Sequence, residues 1–206
     1  MIFFDFDGTL LESNGAWADI DHTFLGRHGL AVPKGYVDYC AHHSFPDSAH
    51  YTRVNYLPQL TEEEIMAEWM ELAKDAYGRK LPLKPGAKEL LLSLTARGEE
   101  LALLTSCMPQ LCRAALEHHG LTELFRGVLT TVEVGLEKRD PTMYRYAARQ
   151  FGQKPEDCTL VDDSPVYCAA AKQAGWRAVG VRDDLFAHRR EEFSLCDRYL
   201  EDLRQF

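Results

Sequence analysis

No run of about 18 apolar residues occurs anywhere in this chain, so no segment of it reads as a membrane span. Its six cysteines, Cys40, Cys107, Cys112, Cys158, Cys168 and Cys196, form no CxxC pair and no Cys/His cluster with zinc spacing. They are expected as reduced thiols in a reducing compartment, several buried as small hydrophobes. Basic charge is scarce: 23 Lys and Arg stand against 32 Asp and Glu, a formal net charge of −9. A nucleic acid or an anionic membrane would need a basic stripe, so neither is expected as a partner. A small anionic substrate stays open, because one metal ion and one lysine can dominate a pocket. Low-complexity tracts and internal repeats are missing as well. Hydrophobic residues make up 46% and charged residues 27%, which excludes disordered and fibrous readings. The opening MIFFDFDGTL lacks a basic n-region and a small-residue cleavage site, so it is not expected to be a signal peptide, and a cytoplasmic protein is expected. With 206 residues, one domain carrying a modest insertion can bury a core without disulfide or metal staples.

Five short apolar runs are present: Ile2 to Phe6, Leu101 to Thr105, Val128 to Thr131, Thr159 to Asp162 and Ala178 to Val181. Four of them lack polar alternation, as strands buried on both faces do. Helical patterns separate the last four and precede Leu101. Ala87 to Arg97 stops at Gly98, Pro109 opens a helix ending at Gly120, Pro141 one ending at Gly152, and Ser164-Pro165 one running to Gly175. This rhythm means βαβ units and a parallel sheet. After Leu10 it stops for about seventy residues of helical and loop-like text. Thr61 to Glu64 reads as a capping box, with Ile65, Trp69, Leu72 and Ala76 following at helical spacing. The expected organisation is an α/β core at 1–11 and 85–206, with a helical insertion at 12–84.

Four features carry chemistry. Asp5-Phe6-Asp7-Gly8-Thr9 ends a hydrophobic strand, where alternation puts Asp5 and Asp7 on one side. Ligands of open α/β sheets bind at the carboxyl ends of strands, and two carboxylates there can divide attack and proton transfer. A plain Asp-Gly turn is the competing explanation. Asp162-Asp163-Ser164 ends another strand; adjacent carboxylates repel unless a cation sits beside them, and with Asp5 they offer hard oxygens to Mg²⁺. Helix capping by Asp163 or Ser164 is the structural alternative, compatible with the first. Thr105-Ser106 follows a third strand, where a hydroxyl near a helix N-terminus suits phosphate. Lys138 precedes a helix and reaches an anion there, unless it is an ordinary solvated loop lysine.

Taken together and in order, these motifs resemble the haloacid dehalogenase superfamily. DFDGTL is similar to its first motif, LLTS to its second, KRDP to its third and VDDS to its fourth. LPLKPGAKELLLSLTAR resembles the segment leading out of the cap, and AAAKQAGW the stretch after the fourth motif. A helical cap placed straight after the first motif resembles the subfamily of phosphoglycolate phosphatase, β-phosphoglucomutase and the dehalogenases. The resemblance implies a Rossmann-like core, with a parallel sheet flanked by helices, and an inserted all-helical cap. It implies a Mg²⁺-dependent phosphatase acting on a small phosphorylated metabolite through an aspartyl-phosphate. Asp5 is then the nucleophile and Asp7 the acid and base. Thr105, Ser106 and Lys138 are the phosphate-binding residues, Lys138 also balancing charge against Asp5. Mg²⁺ is held by Asp5, the backbone carbonyl of Asp7 and Asp163, with Asp162 further out. Dehalogenases lack an acid/base aspartate at the place of Asp7 and need no Mg²⁺. A phosphonate hydrolase would need a Schiff-base lysine in the cap, where nothing singles out Lys34, Lys74 or Lys80. A phosphomutase using the same Asp5 and Asp7, or a catalytically silent binding module, are the alternatives; Arg27 and Arg53 are open to a second phosphate. One departure stands out: where the family often has an acidic residue, asparagine or glycine three residues after Ser164, this chain has Tyr167.

The cap is expected to choose the substrate. It holds Trp17, Asp21, His22, His28, His42, His43, His50, Tyr51 and Arg53, either as pocket lining or as ordinary packing. The segment from Tyr36 to Tyr56 shows little helical regularity. Met66, Trp69 and Met70 read as a packing stripe, Arg189-Arg190 and Glu191-Glu192 as a solvated face, and His118-His119 as complements to a helix dipole. Cys107 lies near the second motif without a recognisable partner base. A monomer or a homodimer is expected.

Overall fold

The computed structural model describes residues 1–42 and 45–206 and divides into two compact units, Met1–Asn14 with Leu81–Phe206, and Gly15–Lys80. The insertion therefore begins and ends a few residues inside the 12–84 range read from the sequence, and Ser13, Asn14 and Lys84 stand with the α/β unit.

Along the chain come β1 (Ile2–Phe4), α1 (Ala16–Arg27), α2 (Tyr36–His42), α3 (Phe45–Asn55), α4 (Glu62–Arg79), α5 (Ala87–Ala96), β2 (Leu101–Thr105) and α6 (Pro109–His119). Then follow β3 (Val128–Thr130), α7 (Thr131–Val134), α8 (Pro141–Gln150), β4 (Thr159–Asp162), α9 (Pro165–Gln173), β5 (Arg177–Val181) and β6 (Arg198–Leu200). Among the described residues six strands form one sheet in the order β3-β2-β1-β4-β5-β6. Every pairing is parallel; Phe3 of β1 stands opposite Ala102 on one side and Leu160 on the other. The parallel α/β fold read from the sequence is thus present.

The physical reason is simple. Parallel strands are covered by crossover helices on both faces, so β1, β2 and β4 are buried throughout and their sequences read as unbroken apolar runs. Phe3 is fully buried between Trp176 and Phe151, with ring centroids 4.6 and 5.3 Å away. β6 escaped the sequence reading because only its Leu200 is buried, while Arg198 and Tyr199 keep contact with solvent. His119, placed by sequence as a dipole complement, instead donates its Nε2–H to the Leu81 carbonyl at 2.9 Å, and burial holds its pKa below the ordinary histidine value.

The strand order reverses direction at β1, with β2 and then β3 on one side and β4 onward on the other. Such a switch point leaves a crevice at the carboxyl ends of the central strands. Asp5, Thr105 and Asp162 all stand at those ends.

In the helical unit, Thr61 accepts the Glu64 N–H at 3.1 Å and Glu64 accepts the Thr61 N–H at 2.8 Å, which closes the capping box read from the sequence. Such a cap contributes about 1 kcal/mol. Trp69 packs against Phe24 and Phe45 at 5.5 and 5.3 Å and belongs to the core, while Met66 and Met70 are only partly buried. Between Tyr36 and Tyr56 the described residues form α2 and α3 despite their irregular sequence. The inward residues on α3 are Ser48, Ala49 and Thr52, small or polar, so no apolar period announces the helix. Tyr36 compensates with a hydrogen bond to Thr52 at 2.8 Å, and Tyr39 stacks on Tyr51 at 3.8 Å. Arg27 and His28 pair with Glu68, while His50 and Arg53 share Glu62. His43 lies outside the described residues. Lys34, Lys74 and Lys80 are all exposed, and Lys80 pairs with Asp75.

Asp21 is buried on α1, and burial raises its pKa from 3.8 to about 7. A carboxyl whose folded pKa exceeds its unfolded one stabilises the fold at low pH and loses that advantage as pH rises between the two values. The full shift corresponds to about 4 kcal/mol as an upper limit. Asp21→Asn is therefore expected to flatten the fall in melting temperature between pH 4 and 8. Parallel melting-temperature profiles for the variant and the wild type in calorimetry would refute this.

Candidate active site

Every residue singled out in the four motifs lies in the α/β unit. Asp5 follows β1 and continues its ladder, donating its N–H to the Val161 carbonyl at 2.9 Å. It is 5% exposed, and its Oδ1 accepts from Lys138 Nζ at 2.5 Å. Lys138, from the loop before α8, is 0% exposed and stands 2.7 Å from Asp162 Oδ2. It is not a solvated loop lysine. The start of α8 is pinned just beyond it, where Asp140 accepts the Thr142 N–H at 2.8 Å and Pro141 takes the first helical position. The Lys138 ammonium also sits 4.6 Å over the Tyr167 ring. Burial alone would strip its proton, but the Asp162 and Asp5 carboxylates overrule burial and hold its pKa well above the ordinary lysine value.

Asp162 ends β4, fully buried, and its Oδ1 accepts the Ser164 N–H at 2.8 Å. Ser164 occupies the N-cap position of α9, yet its side chain takes no N–H of the first turn, so the capping role offered for it is not filled. Asp163 is clamped by the loop after β1. Thr9 Oγ1 donates to its Oδ1 at 3.1 Å and accepts its N–H at 3.0 Å, and Asn14 Nδ2 donates to its Oδ2 at 3.2 Å. Burial raises the pKa of Asp162 to about 7 and that of Asp163 well above its ordinary value, with the neighbouring carboxylates adding to the effect.

Asp5, Asp162 and Asp163 each present a carboxylate oxygen within 4.8 Å of the others, and all three are buried. One ammonium cannot neutralise three such carboxylates. The remaining charge, the hard oxygen donors and their spacing fit a small divalent cation such as Mg²⁺.

Asp7 is partly buried, and its Oδ1 accepts from Ser13 Oγ at 2.6 Å, which fixes the carboxylate. Thr105 ends β2 and is 1% exposed; its Oγ1 accepts the Cys107 N–H at 3.0 Å, which leaves the hydroxyl proton to donate. Ser106 is exposed, and burial raises the pKa of the nearby Tyr167 phenol above its ordinary value. Cys107 is buried, and burial together with the Asp7 charge pushes its thiol pKa well above the ordinary value. A thiol so placed is a poor nucleophile.

Gly8 makes the turn possible. Its φ is +78°, and a Cβ there would run into Asn14 Nδ2 and Asp163 Oδ2 and lie 2.9 Å from Asp163 Cγ. Gly8→Ala is expected to cost at least about 2 kcal/mol, from left-handed strain plus the displaced clamp. Urea unfolding measures it; a loss below about 0.5 kcal/mol would mean that the loop relaxes freely.

The sequence reading missed Thr9, Ser13, Asn14, Lys84 and Asp183. Asp183 carried a usable signal, since it is a carboxylate just past the end of a buried strand, with Arg182 between it and β5. Lys84 carried none, because its partner is 99 positions away.

A family model described as haloacid dehalogenase-like hydrolase matches residues 2–181. A phosphoserine phosphatase of Thermus thermophilus is 42% identical over 104 residues, which is 50% of this chain and 42% of that protein. Hexitol phosphatase A of Escherichia coli is 28% identical over 206 residues, covering 97% of this chain and 91% of its own. The chain thus spans less than half the length of some relatives and nearly all of others. The crystal structure of CbbY from Rhodobacter sphaeroides with phosphate superposes with a TM-score of 0.80 at 23% identity, covering 98% of this chain and 93% of the other. At that identity the likeness concerns the fold.

Proposed function

The chain belongs to the haloacid dehalogenase-like hydrolases, and from that premise we propose that it is a Mg²⁺-dependent phosphatase of a small phosphorylated metabolite. The observation that carries this reading is the convergence of Asp5, Lys138, Asp162 and Asp163, with Asp7 two residues from Asp5 and Thr105 on the adjoining strand. The two relatives described above are phosphatases by name, of phosphoserine and of a hexitol phosphate, which supports a phosphate monoester as substrate.

In this reading an oxygen of Asp5 attacks phosphorus while the bond from phosphorus to the ester oxygen breaks. Asp7, as the acid, gives its proton to that leaving oxygen. The product is an alcohol and an aspartyl-phosphate on Asp5. A water molecule then attacks phosphorus, Asp7 takes its proton, and the acyl-phosphate bond breaks to release phosphate and restore Asp5. Ser13 keeps Asp7 aimed through both transfers, and Thr105 donates to a phosphoryl oxygen. Lys138 orients Asp5 and offsets its charge before a dianion approaches. Asp5, Asp163 and the Asp7 carbonyl would hold Mg²⁺, with Asp162 outside them. When bound, the ion neutralises charge on the transferring phosphoryl group.

The test is phosphate release from a panel of phosphorylated metabolites, with Mg²⁺ and with chelator. Release that requires Mg²⁺ is expected from at least one ester. No release from any of them, or equal release in chelator, would overturn the proposal.

A further inference from the structure

Asp183 lies beyond β5, outside every motif of the sequence, yet it is 7% exposed and saturated with donors. Its Oδ2 accepts from Lys84 Nζ at 2.6 Å, and its Oδ1 accepts from Asn14 Nδ2 at 2.8 Å and from the Leu185 N–H at 2.9 Å. Lys84 is equally buried at 9% exposure and also donates to the Arg182 carbonyl at 2.9 Å. The same Asn14 nitrogen reaches Asp163 Oδ2 at 3.2 Å. Asn14 therefore spends one amide nitrogen on two carboxylates, and its orientation is fixed by chemistry. Turning its oxygen toward them would set it against two acceptors.

We propose that Asp183 is a positioning residue for Asp163, acting through Asn14 and anchored by Lys84. The inference rests on the reading of Asp163 as a Mg²⁺ ligand. Two observations support it. First, Asp163 has three side-chain or backbone links to the β1 loop, two through Thr9 and one through Asn14, and Asn14 is the one of these two residues that is tied to a second buried ion pair. Second, Tyr167, on the helix just after Asp163, does not contribute. Its ring lies under Lys138, whereas the side-chain contacts of Asp163 run to Thr9 and, through Asn14, to Asp183 beyond β5. Buried, charge-assisted partners of a ligand fix its orientation, and their loss commonly weakens metal binding about 10- to 100-fold.

The experiment is calorimetric titration of chelator-treated protein with MgCl₂, for wild type, Asp183→Ala, Asn14→Ala and the double variant, with melting temperatures alongside. Asn14 is partly exposed, so its variant folds even if burial of an unpaired Lys84 disables Asp183→Ala. The dissociation constant for Mg²⁺ is expected to rise about 10- to 100-fold in each single variant. The double variant is expected to bind no more weakly than Asn14→Ala alone, because both changes cut one chain of contacts. The apparent Mg²⁺ constant for phosphate release shifts in parallel, while kcat at saturating Mg²⁺ falls less. A lowered melting temperature with Mg²⁺ affinity as in wild type, or strictly additive losses, would overturn this inference and leave the phosphatase reading standing. Wild-type protein that takes up no Mg²⁺ would overturn both.

Discussion

Asp5→Asn is expected to lower phosphate release by at least about 10⁴-fold at saturating Mg²⁺, the scale on which enzymes lose a nucleophile. The substitution is nearly isosteric and the side chain is 5% exposed, so packing around it is kept. What changes is chemistry. An amide oxygen does not form the acyl-phosphate, and the negative charge facing Lys138 at 2.5 Å is lost. Lys138 keeps Asp162 at 2.7 Å, so no unpaired ammonium is left in the interior and the melting temperature is expected to move by only a few degrees. Steady-state phosphate release and calorimetry together decide the matter. A folded Asp5→Asn protein that retained a tenth of wild-type activity would remove Asp5 from the role of nucleophile.

Lys138→Met is expected to have the second largest effect, on stability as well as on rate. The lysine is among the largest fully buried side chains of the protein and touches two carboxylates. Methionine fills similar space and forms no ion pair. Removing one partner of a buried pair costs about 3–5 kcal/mol, because the other is left charged in a medium that solvates it poorly. Asp162 offers partial relief, since burial already raises its pKa to about 7. In chelator the destabilisation is therefore expected to be smaller at pH 5, where that carboxyl takes a proton, than at pH 8. Added Mg²⁺ is expected to recover part of it by supplying positive charge. The rate falls about 10²- to 10³-fold, as when one preorganised donor is removed from a charged transition state. Urea unfolding at both pH values checks the first expectation and phosphate release the second. A Lys138→Met protein as stable as wild type at pH 8 would show that the carboxylates reorganise without the lysine.

How far the sequence foretold this molecule depends on how local each signal is. The strand ends carrying Asp5, Thr105 and Asp162 were legible because a parallel strand covered on both faces is an unbroken apolar run, and its end is where the run stops. α4 was legible because a capping box closes within four residues. α3 was not, because its buried face is Ser48, Ala49 and Thr52 and gains its stability from a hydrogen bond to Tyr36 that no period records. β6 was not, because two of its three residues keep solvent contact.

The sequence by itself determined the order of the chemistry: carboxylate pair, hydroxyl, lysine, carboxylate pair, each at the end of a hydrophobic run. Those are covalent facts about neighbours in the chain. Only the tertiary structure decided what each group faces. It buried Lys138 between Asp5 and Asp162, although it read locally as a lysine in a polar loop. It set the Tyr167 ring beneath that ammonium, where the sequence showed only a departure from the family's pattern. It joined Lys84 to Asp183 across 99 positions and tied both to Asp163 through Asn14. Electrostatic partnership depends on distance in space and on exclusion of water, and both are set by how β1, β4 and β5 align in the sheet.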